Sequence, residues 1–336
     1  MSKRILLTGV GGFIGSHCFS HILANTDWEV VGIDSWRHKG ISERIAESKH
    51  YQDNCHRVRI FTHDLSSPIS HVLARKIGHI DYIINFASHS HVDRSISDPV
   101  PFVQNNVNLV LNMLEYSRCY KVKKFIQIGT DEVYGPTDGV HAHPEWSSIL
   151  PSNPYSASKA CQEAIAISYW RTYGLPIILT NIMNTFGEMQ DSEKFVPMVI
   201  KKVLKGEKVF IHSHAGSGTS GSRFWLHARN TSDALLFILN NIMPLQYPEE
   251  SRPERFNIVG EKQITNLEIA QLIAEILKMP LNYELVDAET SRPGHDLHYG
   301  LAGTKLKECG YEYPQNLYAS MKKTIEWTLA NKRWLE

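Results

Sequence analysis

An α/β fold is predicted, a doubly wound parallel sheet with a smaller, interwoven C-terminal lobe, and three observations carry the prediction. Short apolar runs suited to strands alternate with helical stretches through the first half of the chain, the pattern of a parallel sheet covered on both faces. A glycine loop, Gly9-Val10-Gly11-Gly12-Phe13-Ile14-Gly15, interrupts the first run just before an amphipathic stretch. The later runs each end in small or polar residues, where such sheets bind their ligands.

Taken in order, Arg4 to Thr8 reads as the first strand and Ser16 to Ala24 as the first helix. Glycines at 9, 12 and 15 let the backbone turn tightly and approach a pyrophosphate, which sits against the positive end of the helix. Their G-x-x-G-x-x-G spacing differs by one residue from the commoner dinucleotide fingerprint of Rossmann-type sheets. Trp28 to Ile33 reads as the second strand and ends in Asp34, close to the expected interval of about 20 residues, where an acid can bind both ribose hydroxyls. Asp34 repels a 2'-phosphate, which favours NAD over NADP, while Arg37 and Lys39 keep the alternative open. Val58 to Thr62 leads into Asp64-Leu65, Tyr82 to Phe86 into Ala87-Ser88, Lys124 to Ile128 into Gly129-Thr130, and Ile177 to Asn181 into Met183-Asn184. Beyond these, Lys194 to Leu204 and Thr265 to Leu277 read as helices, separated by a Gly/Ser-rich loop, His214 to Ser222, and Thr231 to Asn241 returns to the first lobe. The division expected is residues 1–183, with a return segment at about 230–260, for the dinucleotide, and 184–229 with 261–336 for a second ligand.

The 35 basic and 35 acidic side chains of the 336 residues cancel, which implies neither a nucleic-acid nor a membrane-surface partner. No apolar run reaches the roughly 18 residues needed to cross a bilayer, and no secretory segment is read, so a cytoplasmic enzyme is expected. Cysteines 18, 55, 119, 161 and 309 are scattered, odd in number and without metal-ligand spacing, which suits reduced thiols. Among 17 histidines, His212, His214 and His227 form no compact ligand set, so no metal is expected.

Asn153 can cap a helix, Pro154 suits its first position and Gly174 its end, so Tyr155 and Lys159 fall one turn apart on one helical face. A free phenol has a pKa of about 10, and a tyrosine that must accept a proton near neutrality needs a fixed cation to stabilise its phenolate. Lys159 supplies it. The spacing Tyr-x-x-x-Lys is common by chance, and its context gives it weight. At the end of another strand stands Thr130-Asp131-Glu132-Val133-Tyr134. Two adjacent carboxyls with such a tyrosine and lysine are the parts needed to take a hydride from a sugar carbon, expel water beside it and return the hydride.

With these residues in place, the chain resembles the extended short-chain dehydrogenase/reductases, and within them the dTDP-glucose 4,6-dehydratases. The resemblance spans Thr8 to Gly15, Ser90-His91-Val92-Asp93-Arg94-Ser95, Thr130 to Gly135, Tyr155 with Lys159, Glu193-Lys194-Phe195-Val196-Pro197 and Arg292-Pro293-Gly294-His295-Asp296. It implies NAD-dependent conversion of an NDP-hexose, dTDP-glucose first of all, to the NDP-4-keto-6-deoxyhexose and water through transient reduction of the cofactor. UDP-glucose 4,6-dehydratase, 4-epimerase and UDP-glucuronate decarboxylase are the alternatives. The resemblance implies that Tyr155 takes the C4 hydroxyl proton with Lys159 and Thr130 in support, that Glu132 takes the C5 proton, and that Asp131 protonates the departing C6 hydroxyl. It also implies cofactor contacts from Gly9, Gly12, Phe13, Ile14, Gly15, Asp34, Asp64, Leu65, Phe86, Ala87, Ser88 and Asn105, besides Tyr155 and Lys159. Substrate contacts are expected from Ser90, Thr130, Asn184, Lys194, Phe195, Arg223, Asn257, Arg292 and His295. The chain departs from the family pattern at His89, at His212 to Ser222 and at Leu226 to Asn230, which bears on substrate identity more than on reaction type. A homodimer is expected through helices near Pro99 to Tyr116 and Ser156 to Tyr173, since Ala160, Ala164, Ile167, Tyr169 and Trp170 offer more apolar surface than one core-facing stripe needs.

Overall fold

The structure, a computed structural model, describes residues 2–37, 39–214, 218–287 and 297–336. Arg292 and His295 lie outside the described residues. Seven parallel strands form the central sheet: β1 (Arg4–Thr8), β2 (Glu29–Asp34), β3 (Val58–Thr62), β4 (Tyr82–Asn85), β5 (Lys124–Thr130), β6 (Ile177–Ile182) and β11 (Glu254–Ile258). Their order across the sheet is β11-β6-β5-β4-β1-β2-β3, which reverses direction at β1 and leaves a crevice beyond the carboxyl ends of β1 and β4.

Helices cover both faces, so the inner strands are buried on both sides and mostly apolar, with buried polar residues such as Thr8, Asn85, Gln127 and Asn181 among them. Ile5 and Leu7 point to one face and Leu6 to the other, all fully buried, as the two-residue strand period requires. On the first face, α1 (Phe13–Asn25) and α9 (Ala228–Asn241) pack Phe19, Ile22, Leu235 and Leu239 against the sheet. Short helices α2 (Glu43–Ala46) and α3 (Lys49–Asn54) follow β2. The opposite face is covered by α4 (His71–Ile77), by α6 (Pro99–Tyr120), which follows the short α5 (Val92–Ser97), and by α7 (Pro154–Tyr173), with Met113, Leu114 and Trp170 at the centre.

The second lobe has its own core, in which α8 (Phe195–Lys205), α10 (Asn266–Leu277) and the helix Leu317–Ala330 pack Val199, Ile200, Ile269 and Met321 with Phe186 and Ile211 from short strands. Three two-stranded ribbons hold its edges: β7 (Thr185–Phe186) with β10 (Leu226–His227), β8 (Val209–Ser213) with β13 (Tyr283–Asp287), and β9 (Ser222–Arg223) with β12 (Ile264–Thr265).

Two expectations shift. The first helix starts at Phe13, three residues before the predicted Ser16, because Gly12 takes the extended capping conformation and Ser16 N–H already bonds to Gly12 O. Trp170, counted in the apolar surplus of α7 beyond one core-facing stripe, belongs to the core stripe itself, fully buried with its Nε1 donating to Leu245 O at 2.7 Å. Ala164 is exposed and Ile167 half-buried, so part of that face does remain outside the core.

Candidate active site

The carboxyl ends of the strands open into a cleft of about 990 Å³, at the upper end of the usual range for ligand sites of roughly 300–1,000 Å³. Its floor is the glycine loop. Gly9 has φ +63°, and a Cβ there would come within 3.1 Å of the Ala87 backbone. A Cβ on Gly15 would sit 2.2 Å from Gly9 O, an impossible contact, so α1 can begin this close to β1 only with glycine. The loop leaves the N-terminus of α1 uncovered by side chains, the arrangement that accepts a pyrophosphate.

Asp34 closes the loop from the end of β2. Its Oδ2 accepts from Gly11 N at 2.8 Å and its Oδ1 from Trp36 N at 2.9 Å, and its 7 % exposure is at the cleft wall. Backbone bonds of this kind fix the orientation of a carboxylate. Arg37 is paired with Asp64 at 2.7 Å, and Lys39 lies 3.5 Å from Asp191 and 3.2 Å from Glu193, so both cations that left room for NADP have acidic partners. A 2'-phosphate would have to compete for them while facing Asp34. The residues present fit NAD.

The reacting groups sit on two elements. Thr130 ends β5, and Asp131 to Tyr134 form a single turn of 3-10 helix beyond it. On α7, Asn153 accepts from Ser156 N at 2.9 Å while its own N–H donates to Ser156 Oγ, a reciprocal cap that starts the helix where predicted. Tyr155 N–H, left over in the first turn, donates to Ser95 Oγ of α5 at 3.0 Å. Asn153 also donates to Glu132 Oε2 at 3.2 Å, a link between cap and base that the sequence does not announce.

Asp131 is 4 % exposed and accepts the Thr130 hydroxyl at 2.9 Å on Oδ1, while its Oδ2 is buried with no hydrogen-bond partner among the described residues. Burial pushes its pKa up to about 6, with Arg223 and Thr130 pulling the other way. A carboxyl so placed keeps its proton where an exposed one would have lost it. Tyr155 is pushed well above the ordinary phenol range by burial and by Glu132, with the Thr130 hydroxyl opposing. Lys159, 3 % exposed, is pushed down to about 8 by burial against the pull of Glu163, and its Nζ donates to Ile128 O at 2.6 Å and Gln162 Oε1 at 2.7 Å.

All of the proposed cofactor residues line this cleft: Gly9, Gly12, Phe13, Ile14, Gly15, Asp34, Asp64, Leu65, Phe86, Ala87, Ser88, Asn105, Tyr155 and Lys159. Ser90, Thr130, Asn184, Lys194, Phe195 and Arg223 line it from the other side. Arg223 lies over Tyr299 at 4.5 Å and donates through Nη1 to Ser222 O at 2.7 Å and to Leu297 O. Asn257 does not line the cleft. It is fully buried on β11, and its Nδ2 donates to His143 O at 3.0 Å and Ala302 O at 3.1 Å, so it ties two loops to the sheet and does not face a ligand. Asp191 and Glu193 also line the cleft and pair with Lys39, a role that no pattern in the sequence signals.

A glycine-floored dinucleotide crevice with a Tyr-x-x-x-Lys helix facing it defines an extended short-chain dehydrogenase/reductase. The chain belongs to the NAD dependent epimerase/dehydratase family, whose model matches residues 5–258. It is 34 % identical to the dTDP-glucose 4,6-dehydratase of Salmonella typhimurium, over 99 % of this chain and 94 % of that protein. The probable dTDP-glucose 4,6-dehydratase of Sinorhizobium fredii is 33 % identical over 98 % of this chain and 94 % of its own length. Among solved structures, DesIV from Streptomyces venezuelae, a dTDP-glucose 4,6-dehydratase with NAD bound, superposes with a TM-score of 0.85 at 30 % identity, over 99 % of both chains.

Proposed function

We propose that this chain is an NAD-dependent nucleotide-sugar 4,6-dehydratase that converts dTDP-glucose to dTDP-4-keto-6-deoxyglucose and water. The observation that carries the reading is the buried Asp131 beside Glu132, set in one cleft with Tyr155 and Lys159. The chemistry that NAD supplies when bound is removal of hydride from the sugar C4 and its return to C6. Tyr155 takes the C4 hydroxyl proton, and Lys159 and Thr130 favour its phenolate. The ketone so formed acidifies C5, whose proton passes to Glu132 and returns from it to C5 when hydride reaches C6. Asp131 donates its proton to the C6 hydroxyl as that group leaves, and burial, by raising its pKa to about 6, leaves a larger fraction protonated near neutrality than an exposed carboxyl would have. A 4-epimerase or a decarboxylase shares the dinucleotide crevice and Tyr155 with Lys159 but has no leaving group at C6 for Asp131 to protonate.

Asp34 selects NAD, Lys194 and Arg223 hold the diphosphate, with Arg223 suited to paired hydrogen bonds, and Ser90, Asn184 and Phe195 complete the sugar-nucleotide side. No described helix is long and apolar enough to cross a membrane, and the five cysteines are free, four of them exposed, which supports a reducing, cytoplasmic setting. Val100, Ala164 and Tyr173, exposed along α6 and α7, support a homodimer through those helices. Incubation with a panel of nucleotide sugars tests the reading. Loss of one water from dTDP-glucose supports it, whereas an isomer of unchanged mass from any sugar replaces it with an epimerase.

A further inference from the structure

Proton transfer to Tyr155 depends on Lys159 staying charged, and the surroundings of Lys159 are unusual in supplying that help without a carboxylate. Its two acceptors are the Ile128 carbonyl and the Gln162 amide oxygen. Glu163, the acid that acts on it, has both oxygens taken, by Asn181 Nδ2 at 2.6 Å and by Arg255 Nη2 at 2.9 Å. The other titratable and charged groups near the pair are Tyr155 on the same helix, Asp131 and Glu132 beyond β5, His89 after β4 with its ring against Phe102, Arg255 on β11, and Arg223, which acts on Asp131.

Gln162 is completely buried, and its orientation follows from its partners. Its Nε2 donates to Asn106 O at 2.8 Å, which leaves Oε1 to face Lys159. The same Oε1 accepts from Gln127 Nε2 at 3.2 Å, and Gln127 Nε2 also reaches Ile128 O at 3.1 Å, so Gln127 shares both acceptors of the ammonium. Gln127 Oε1 accepts from Asn85 Nδ2 at 2.9 Å, Asn85 Oδ1 accepts the Thr8 hydroxyl at 2.6 Å, and Thr8 Oγ1 accepts from Ala87 N at 3.0 Å. Thr8, Asn85 and Gln127 are at most 1 % exposed. Each amide in this chain has its donor end and acceptor end assigned by a neighbour, and flipping one would set donor against donor.

We propose that Gln162 is a positioning residue for the oxidation step: it keeps the Lys159 ammonium protonated beside Tyr155, and the chain Gln127-Asn85-Thr8 fixes which end of Gln162 faces the lysine. Burial alone works against the base. It lowers the affinity of Lys159 for its proton and raises that of Tyr155, so a group that favours the charged ammonium also favours the phenolate beside it. A hydrogen bond to a charged donor offsets this by about one to two pH units. Gln162 is the side chain that makes it. This inference rests on the assignment of Tyr155 as the base of the proposed dehydratase.

The test is a pH titration of the tyrosinate absorbance in NAD-loaded protein without any sugar nucleotide, with the Tyr155→Phe form of each variant subtracted. Gln162→Glu sets a negative charge against the ammonium and cancels its field at Tyr155, and Gln162→Met removes the acceptor without adding a charge. Both variants are expected to move the Tyr155 midpoint up by about one pH unit or more. The rate of C4 oxidation then falls about tenfold on the acid side of the profile and recovers as pH rises. Folded variants, shown so by thermal melting, with an unmoved midpoint overturn the proposal, as does a rate loss equal at every pH. The absorbance measurement uses no substrate, so its failure is separate from that of the dehydratase reading, which fails if the wild-type protein yields no dehydrated sugar.

Discussion

Two regions of buried charge lie within a few residues of each other and are built in opposite ways. Behind the sheet end, Glu163 and Arg255 are each 1 % exposed and paired at 2.9 Å, with Asn181, Tyr134 and Glu145 O taking up further bonding positions and Trp146 stacked on the guanidinium at 4.2 Å. At the cleft, Asp131 is about as deeply buried, yet one oxygen has no partner among the described residues, and Lys159 has only neutral acceptors among them. The paired groups tie α7 to the edge strand β11, with Arg255 Nε alone among their polar side-chain atoms lacking a partner in the described residues. At the cleft, burial moves the pKa of Asp131 up to about 6 and that of Lys159 down to about 8, both toward neutrality. The contrast lies in what each group faces: Glu163 and Arg255 face each other, while Asp131 and Lys159 line the cleft.

The largest effect expected is on the reactive side. Tyr155→Phe removes the hydroxyl and keeps the ring, and C4 oxidation is expected to fall about 10²- to 10⁴-fold with the melting temperature nearly unchanged, as read by single-turnover absorbance of the reduced cofactor. A wild-type rate in this variant would assign the base to another group.

On the side of the buried ion pair the effect is on stability. Glu163→Gln strands the Arg255 cation, and removal of one partner of a buried pair typically costs about 3–5 kcal/mol. Denaturant unfolding is expected to show this loss, with the surviving folded fraction retaining NAD binding. A loss under about 1 kcal/mol would mean that Arg255 is not dependent on its partner.

The contrast sharpens with pH. The native pKa of Asp131 lies above that of the unfolded chain, so the folded state binds the extra proton and loses stability as pH rises from about 4 to about 6, after which the cost is level. Asp131→Asn, neutral at every pH, is expected to match wild type near pH 4 and to exceed it by about 1–3 kcal/mol near pH 7. An advantage that shrinks with rising pH would contradict the burial argument.

The two regions also differ in how far they can be read from the sequence. The glycine loop, Asp34 at its interval, the capped start of α7 and the Asp-Glu pair are local patterns, and each falls where its spacing placed it. The sites that depend on distant pairing were not legible. Arg255 meets Glu163 across 92 residues and Asn85 meets Gln127 across 42, and neither position carries a periodic or motif signal of its own. Asn257 was placed toward the substrate because an asparagine reads the same whether it faces a ligand or ties down loops, and its two carbonyl partners come from Ala302 and His143. The β11 strand was likewise missed, since five residues with a charged pair at the start look no different from a loop until β6 is beside them.

The central claim is that Asp131 and Glu132 divide acid from base, and Asp131→Asn tests it most directly. The variant keeps the shape of the carboxyl and its acceptor for Thr130 but cannot donate as an acid. In NAD-loaded enzyme with dTDP-glucose in deuterated water, it is expected to oxidise C4 and to incorporate deuterium at C5 through Glu132, while loss of water from C6 falls about 10²- to 10⁴-fold. Mass spectrometry of the recovered sugar nucleotide reads both events at once. Elimination of water at the wild-type rate would show that Asp131 is not the acid and would remove the most specific support for a dehydratase.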